Sequence, residues 1–137
     1  MTKLNPGYFL NKITALLTAP GAYDYDVAVF KGLRSNLTGE YTLQIYPANL
    51  REETQAENVL ACTDTWQIAG VVKTDEEDML PKLLAFAEDT KAALDTWAEE
   101  DAGFTCAILP DMQFTYDGYP TVVFNLQLEI KYLRRIK

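Results

Sequence analysis

The chain has 137 residues, 48% of them hydrophobic, with 20 acidic and 12 basic side chains, no histidine and a net charge of −8. The hydrophobic content excludes a disordered chain, and the length suits one domain burying roughly two-thirds of its unfolded surface, with no room for two comfortable domains. The acidic balance argues against nucleic-acid binding, the missing histidine removes the commonest general acid–base group and metal ligand, and no apolar run approaches the ~20 residues that span a bilayer.

In chain order, Asn5-Pro6-Gly7 opens a helix with Asn5 as N-cap and Pro6 at the first helical position. Phe9, Leu10, Ile13, Leu16 and Leu17 recur at helical spacing, and "TAPGAY" stops the run. This N-terminus suits an amphipathic helix better than a signal peptide, so folding in the cytoplasm is expected. "DVAVF" is a short β-branched strand, followed by a polar connection. "EYTLQIYP" is the next strand, with Tyr41, Leu43 and Ile45 on one face and Pro47 expected to end it. Residues 48–63 combine helix formers with weak periodicity and suit either a helix or a long hairpin loop.

"DTWQIAGVVKT" gives a third strand, with Trp66, Ile68 and Val72 on the face that Gly70 shares. A helix starts near Asp78 or Met79, which leaves Pro81 in the tolerant first turn; Leu80, Leu83, Leu84, Ala87, Leu94 and Trp97 form its expected apolar stripe. "AGFTCAILPDMQFTYDGYP" holds another strand, a Pro-Asp break and a turn. The closing stretch alternates strictly, with Val122, Phe124, Leu126, Leu128, Ile130 and Tyr132 on one side, over nearly twice the usual strand length. Helix, three strands, helix and two strands predict an α+β domain spanning 1–137: a single, mostly antiparallel sheet of about five strands with two α-helices packed on one face. The apolar face of the closing strand is expected against the helix bearing Leu83, Leu84 and Leu94.

The chemistry-bearing residues form no catalytic pattern. There is no Gly-x-Ser-x-Gly elbow, no Cys–His pair and no glycine-rich phosphate loop. Cys62 and Cys106 match no metal-ligand spacing and sit in apolar surroundings as expected buried thiols. "NLT" at Asn36 fits a glycosylation sequon by chance, and nothing among the carboxylates marks a glycosidase pair. Asp75-Glu76-Glu77-Asp78 precedes a helix, where negative charge is favoured, and lacks the spacing and glycine of a Ca²⁺ loop. Glu99-Glu100-Asp101 falls at the other end of that helix, where negative charge is unfavourable unless a basic partner offsets it. Lys131, Arg134, Arg135 and Lys137 hold a third of the basic residues in seven positions. A basic strand end and an acidic helix end on one chain suit head-to-tail contact between copies, so Lys131, Arg134, Arg135, Glu99, Glu100 and Asp101 are the candidate interface residues. No cofactor, metal or enzymatic activity is expected.

The amphipathic first helix, the short strand, the strand reaching Pro47, the Trp-containing "DTWQIAGVV", the long helix and the closing "FNLQLEIKY" together resemble the tail terminator proteins of long-tailed bacteriophages, the minor tail protein U type. The likeness lies in length, element order and the closing strand; the family has no short catalytic motif to carry over. It implies a structural virion protein, made in the host cytoplasm, that forms a ring, by implication of six copies, on the head-proximal end of the tail tube. Its partners would be itself, the tail tube protein and the head–tail connector or neck protein, with no membrane. Other neck or tail-completion proteins fit the same pattern. A rival of another class is a small-molecule-binding α+β domain whose tyrosines and tryptophans line a pocket.

Overall fold

The computed structural model describes residues 3–34, 39–74, 78–95, 97 and 103–135. The chain runs α1 (Pro6–Leu17), β1 (Ala28–Lys31), β2 (Tyr41–Ala56), β3 (Val59–Lys73), α2 (Met79–Asp95), β4 (Phe104–Ile108), β5 (Gln113–Thr115) and β6 (Thr121–Arg135). The strands form one mixed sheet in the order β1-β2-β3-β6-β4, with β5 lying beside β6 further along the same edge as β4. Among the described residues only the β1–β2 pair is parallel. The fold is α+β, with both helices on one face of a mostly antiparallel sheet and one strand more than the sequence pattern suggests: β5 is three residues long, too short to show a period.

The local signals work as their chemistry dictates. Asn5 caps α1, its Oδ1 accepting from the Tyr8 N–H at 2.8 Å. Phe9, Ile13 and Leu17 are its buried face. Every second residue of β6 from Val122 to Tyr132 is buried, and β3 presents Cys62, Asp64, Trp66, Ile68 and Val72 on the same face. These residues, Leu43 and Ile45 of β2, and Leu83, Phe86 and Leu94 of α2 make one continuous core. Gly70 sits in this layer opposite Phe124, whose ring covers it; a Cβ at position 70 would lie 1.9 Å from the ring.

Two sequence expectations change here. Pro47 does not end β2: the strand continues to Ala56 and the register shifts between Pro47 and Asn49. A proline removes one ladder donor, and a bulge on a strand with an open edge absorbs that loss. Residues 48–63 are therefore neither helix nor loop but the far half of a hairpin, turned at Glu57-Asn58, where Asn58 takes a left-handed φ of 64° that asparagine tolerates. The expected stripe of α2 holds at Leu83, Ala87, Leu94 and Trp97 but not at Leu80 and Leu84. Leu83, Phe86, Ala87, Thr90, Ala93 and Leu94 are buried, whereas Leu80 is exposed and Leu84 is 49% exposed. Leu84 sits about 100° around the helix from Leu83 and misses the sheet.

Candidate functional site

Strand β2 divides into a covered half and a bare half. Over Thr42, Leu43, Gln44 and Ile45 the strand is buried, with β1 on its outer edge. From 47 to 56 all ten residues are exposed, and β1 no longer accompanies them. At ~3.4 Å per residue this stretch is roughly 34 Å of open strand edge. Among the described residues no strand pairs with the outer edge of β2 here, so its N–H and C=O groups on that side have no ladder partner. Two register shifts bracket a regular run between Asn49 and Thr54.

Beneath the base of this arm lies a polar cluster on the helix-covered face. Asp64 is 2% exposed, and its Oδ2 accepts from the Tyr132 hydroxyl at 2.9 Å. Burial raises the Asp64 carboxyl above the usual range; the Tyr132 hydrogen bond and the Arg134 charge oppose that shift without cancelling it, while Glu52 adds to it. Burial also raises the Tyr132 hydroxyl and the neighbouring Cys62 thiol, which leaves Cys62 a poor nucleophile. Arg134 reaches across from β6 and donates to Glu52 Oε1 of β2 at 2.6 Å, closing the cluster on its solvent side. This ion pair links the two strands that flank β3.

The other edge of the sheet is β4, "FTCAI", five residues without a charge or a proline. It pairs with β6 on one side, and no described strand lies on the other. Phe104 turns inward against Phe9, centroids 5.2 Å apart, while Thr105 and Ala107 are exposed on the opposite face. Burial pushes the Cys106 thiol up to about 12.

The sequence-predicted interface residues fall as follows. Lys131, Arg134 and Arg135 lie near the end of β6, beside the start of β3 and hence level with the outer part and tip of the arm. Arg134 is not a free charge, being held by Glu52. Lys131 is exposed on the opposite face, 3.7 Å from Glu129. Arg135 is exposed and has no ion pair among the described residues. Glu99, Glu100 and Asp101 lie outside the described residues, as do Lys137, Asn36 and the acidic residues 75–77.

Of the aromatic residues that could line a ligand pocket, Tyr116 and Tyr119 are exposed, and Trp66, Tyr23, Tyr25 and Tyr41 are otherwise occupied. Trp66 is buried in the core, and Tyr23, Tyr25 and Tyr41 pack on Phe86, with the Tyr23 hydroxyl 2.7 Å from Thr90 Oγ1 and Tyr25 donating to Asp89 at 2.8 Å. On the uncovered face of the sheet a polar depression of about 410 Å³ is floored by amides, with Gln67 Nε2 donating to Asn125 at 3.0 Å and Gln127 Nε2 to Gln67 at 3.1 Å. These amides satisfy one another across β3 and β6. Among the described residues no group of three His, Cys, Asp or Glu could hold a metal ion, and no helix is long and apolar enough to cross a membrane.

No protein-family model matches the chain, and no curated protein is significantly similar to it.

The geometry thus offers two open sheet edges, one long and charged, one short and uncharged. Sequence pattern hides both. An edge is a property of strand order, and the arm's exposure on both faces erases the alternation that marks a strand. The run "FTCAI", apolar and β-prone without a protecting charge, is a sequence signal for an unprotected edge.

Proposed function

We propose that this chain is a structural protein that assembles with copies of itself: a ring-forming tail terminator of the minor tail protein U type, capping the head-proximal end of a phage tail tube and joining it to the head–tail connector. The observation that carries this reading is the bare half of β2, ten exposed residues running on past the end of β1 as an open edge of the sheet. Free-standing domains usually shorten, cover or blunt their edges, because a long open edge invites pairing. One that is retained over such a length suits a protein whose working form supplies the missing neighbour. Six copies of 15.4 kDa would make a ring of about 92 kDa. The net charge of −8 opposes association in dilute solution, so the ring is expected to close on the tube end, where the tube supplies further contacts.

The experiment is electron microscopy of tails assembled with and without this protein. The expected result is a ring of density at the head-proximal end when it is present and overlong tubes when it is omitted. Tails of uniform length with no density for it there would overturn the assignment. The pocket-binding alternative finds less support, because Trp66 and the tyrosine cluster are spent on core packing.

A further inference from the structure

We propose that the amide-floored depression on the uncovered face of the sheet is a binding site for a neutral saccharide, one or two sugar rings in size. The inference goes beyond the assembly reading and does not depend on it.

Register builds the site. On the face away from the helices, Tyr46, Gln67 and Gln127 stand side by side in one cross-strand row, and Gln113 and Asn125 stand in the next. Asp111 joins them from the segment that leads from β4 into β5. These six side chains line about 410 Å³, within the size range of small-ligand sites. Five of the six come from four different strands of the sheet, so their spacing is set by the ladder rather than by a loop.

The hydrogen bonds of the floor run in one direction. Gln127 Nε2 donates to Gln67 Oε1 at 3.1 Å, and Gln67 Nε2 donates to Asn125 Oδ1 at 3.0 Å. Each bond polarises the next, and all three amides are held in fixed orientations. The two ends of the chain stay open: among the described residues, the Gln127 Oε1 acceptor and the Asn125 Nδ2 donor have no partner. The Tyr46 hydroxyl, the Asp111 carboxylate and the Gln113 amide have none there either. A ligand therefore meets oriented groups that need no further ordering on binding.

The chemistry of these groups selects the occupant. The lining carries one negative charge and no positive one, which disfavours phosphates, nucleotides and carboxylates. A single carboxylate is too little to hold a metal ion. None of the six side chains is aliphatic, whereas sites for apolar ligands are lined mainly by hydrophobic side chains. A sugar hydroxyl both donates and accepts, so the hydroxyls of one ring can satisfy the Asn125 donor, the Gln127 acceptor and the Asp111 carboxylate together. Asn125 and Gln127 are two residues apart on one strand, roughly 7 Å, a separation that hydroxyls on opposite sides of a sugar ring bridge. Tyr46 adds the one aromatic ring, an apolar surface with a polar tip, against which the C–H face of a sugar can lie.

The test is nitrogen-edited NMR on the full chain, following the side-chain amide signals of Gln67, Gln113, Asn125 and Gln127. The neutral probes are glucose, galactose, mannose and N-acetylglucosamine, and the anionic probe is glucose phosphate, each added to tens of millimolar. The expected result is saturable shifts of these amides with at least one neutral sugar, with a Kd of about 1–10 mM, as suits a few hydrogen bonds made in water. Asp111→Ala and Gln113→Ala change exposed side chains and should keep the parent's thermal unfolding midpoint. Asp111→Ala should weaken binding about tenfold and Gln113→Ala about threefold, because the first removes a charged acceptor and the second a neutral amide. The disaccharides maltose and chitobiose form a second arm: tighter binding than the single sugars assigns the site to a glycan chain, and no gain assigns it to a free sugar. The proposal is overturned if no probe gives saturable shifts, or if the shifts centre on other residues. It is equally overturned if both variants bind as the parent does, or if the anionic probe binds as tightly as the best neutral one.

Discussion

Gly70→Ala is the most direct test of how the sheet is packed. Alanine is ordinarily better than glycine inside a strand by roughly 0.5–1 kcal/mol, because it loses less chain entropy on folding. Here the added Cβ would meet three atoms of the Phe124 ring at 1.9, 2.3 and 2.6 Å. The ring has nowhere to retreat: Phe86 stands edge-on to it at 5.2 Å, and both rings are fully buried. Forcing a methyl into a filled core costs about 1–3 kcal/mol, and at these distances the upper half of that range applies. Subtracting the entropic gain leaves an expected net loss of about 1–2 kcal/mol, a large fraction of the ~5–15 kcal/mol that holds a domain folded. The control is the same substitution in a Phe124→Leu background, where the smaller side chain leaves room and Gly70→Ala should become neutral or stabilising. Urea unfolding followed by tryptophan fluorescence on all four proteins gives the coupling energy. A loss under half a kcal/mol in the parent, or additive effects of the two substitutions, would refute the argument.

Leu126→Ala should cost about 2–5 kcal/mol in the same assay, since Leu126 is 1% exposed in the layer that α2 covers; under half a kcal/mol would mean that this face is open. Asp64 is held above the ordinary carboxylate range mainly by burial, so its folded form favours the proton, and the stability it contributes is present at low pH and lost as pH rises through its folded value. Asp64→Asn should therefore be at least as stable as the parent at pH 7, with the parent gaining on the variant as pH falls toward 4; a variant clearly weaker at pH 7 whose deficit closes on acidification would show that Tyr132 and Arg134 outweigh burial. Arg134→Glu places like charges at the Glu52 contact and should cost at most about 1 kcal/mol in urea, because both side chains are partly solvated, while Arg135→Glu should stay within ~0.5 kcal/mol. A cost of several kcal/mol for either would assign the basic strand end to the core of the fold rather than its surface.

Legibility of the fold in the sequence followed burial. β6 shows because one face is buried along almost its whole length, so Val122 to Tyr132 alternate without interruption. α1 shows because Asn5 and Pro6 both have a stereochemical reason to begin a helix where they stand. The arm does not show, because residues 47–56 have no buried face and are rich in helix formers, and because each bulge moves the side-chain period by one. The parallel placement of β1 beside β2 is likewise silent, since four residues carry too little pattern to reveal direction. Of the candidate interface, the clustering of Lys131, Arg134 and Arg135 could be read from spacing alone. The capture of Arg134 by Glu52 could not, because the two residues are 82 positions apart and meet only through the register of three strands.

The register shift after Pro47 also divides the molecule mechanically. On its helix side, β2 and β3 are held by a filled core; beyond it, β2 has a neighbour on one side only and water on both faces. Two halves of β2 thus belong to different cooperative units, one opening only with the whole domain, the other able to fray from the Glu57-Asn58 turn inward while β3 stays held by β6 and the core. Protection of the β2 amides against hydrogen exchange should accordingly fall in a step at Ala48 rather than a slope: slow exchange from Thr42 to Tyr46, fast from Asn49 onward. An arm of this kind can adjust its twist to whatever strand it meets, while the layer that defines the subunit stays as it was.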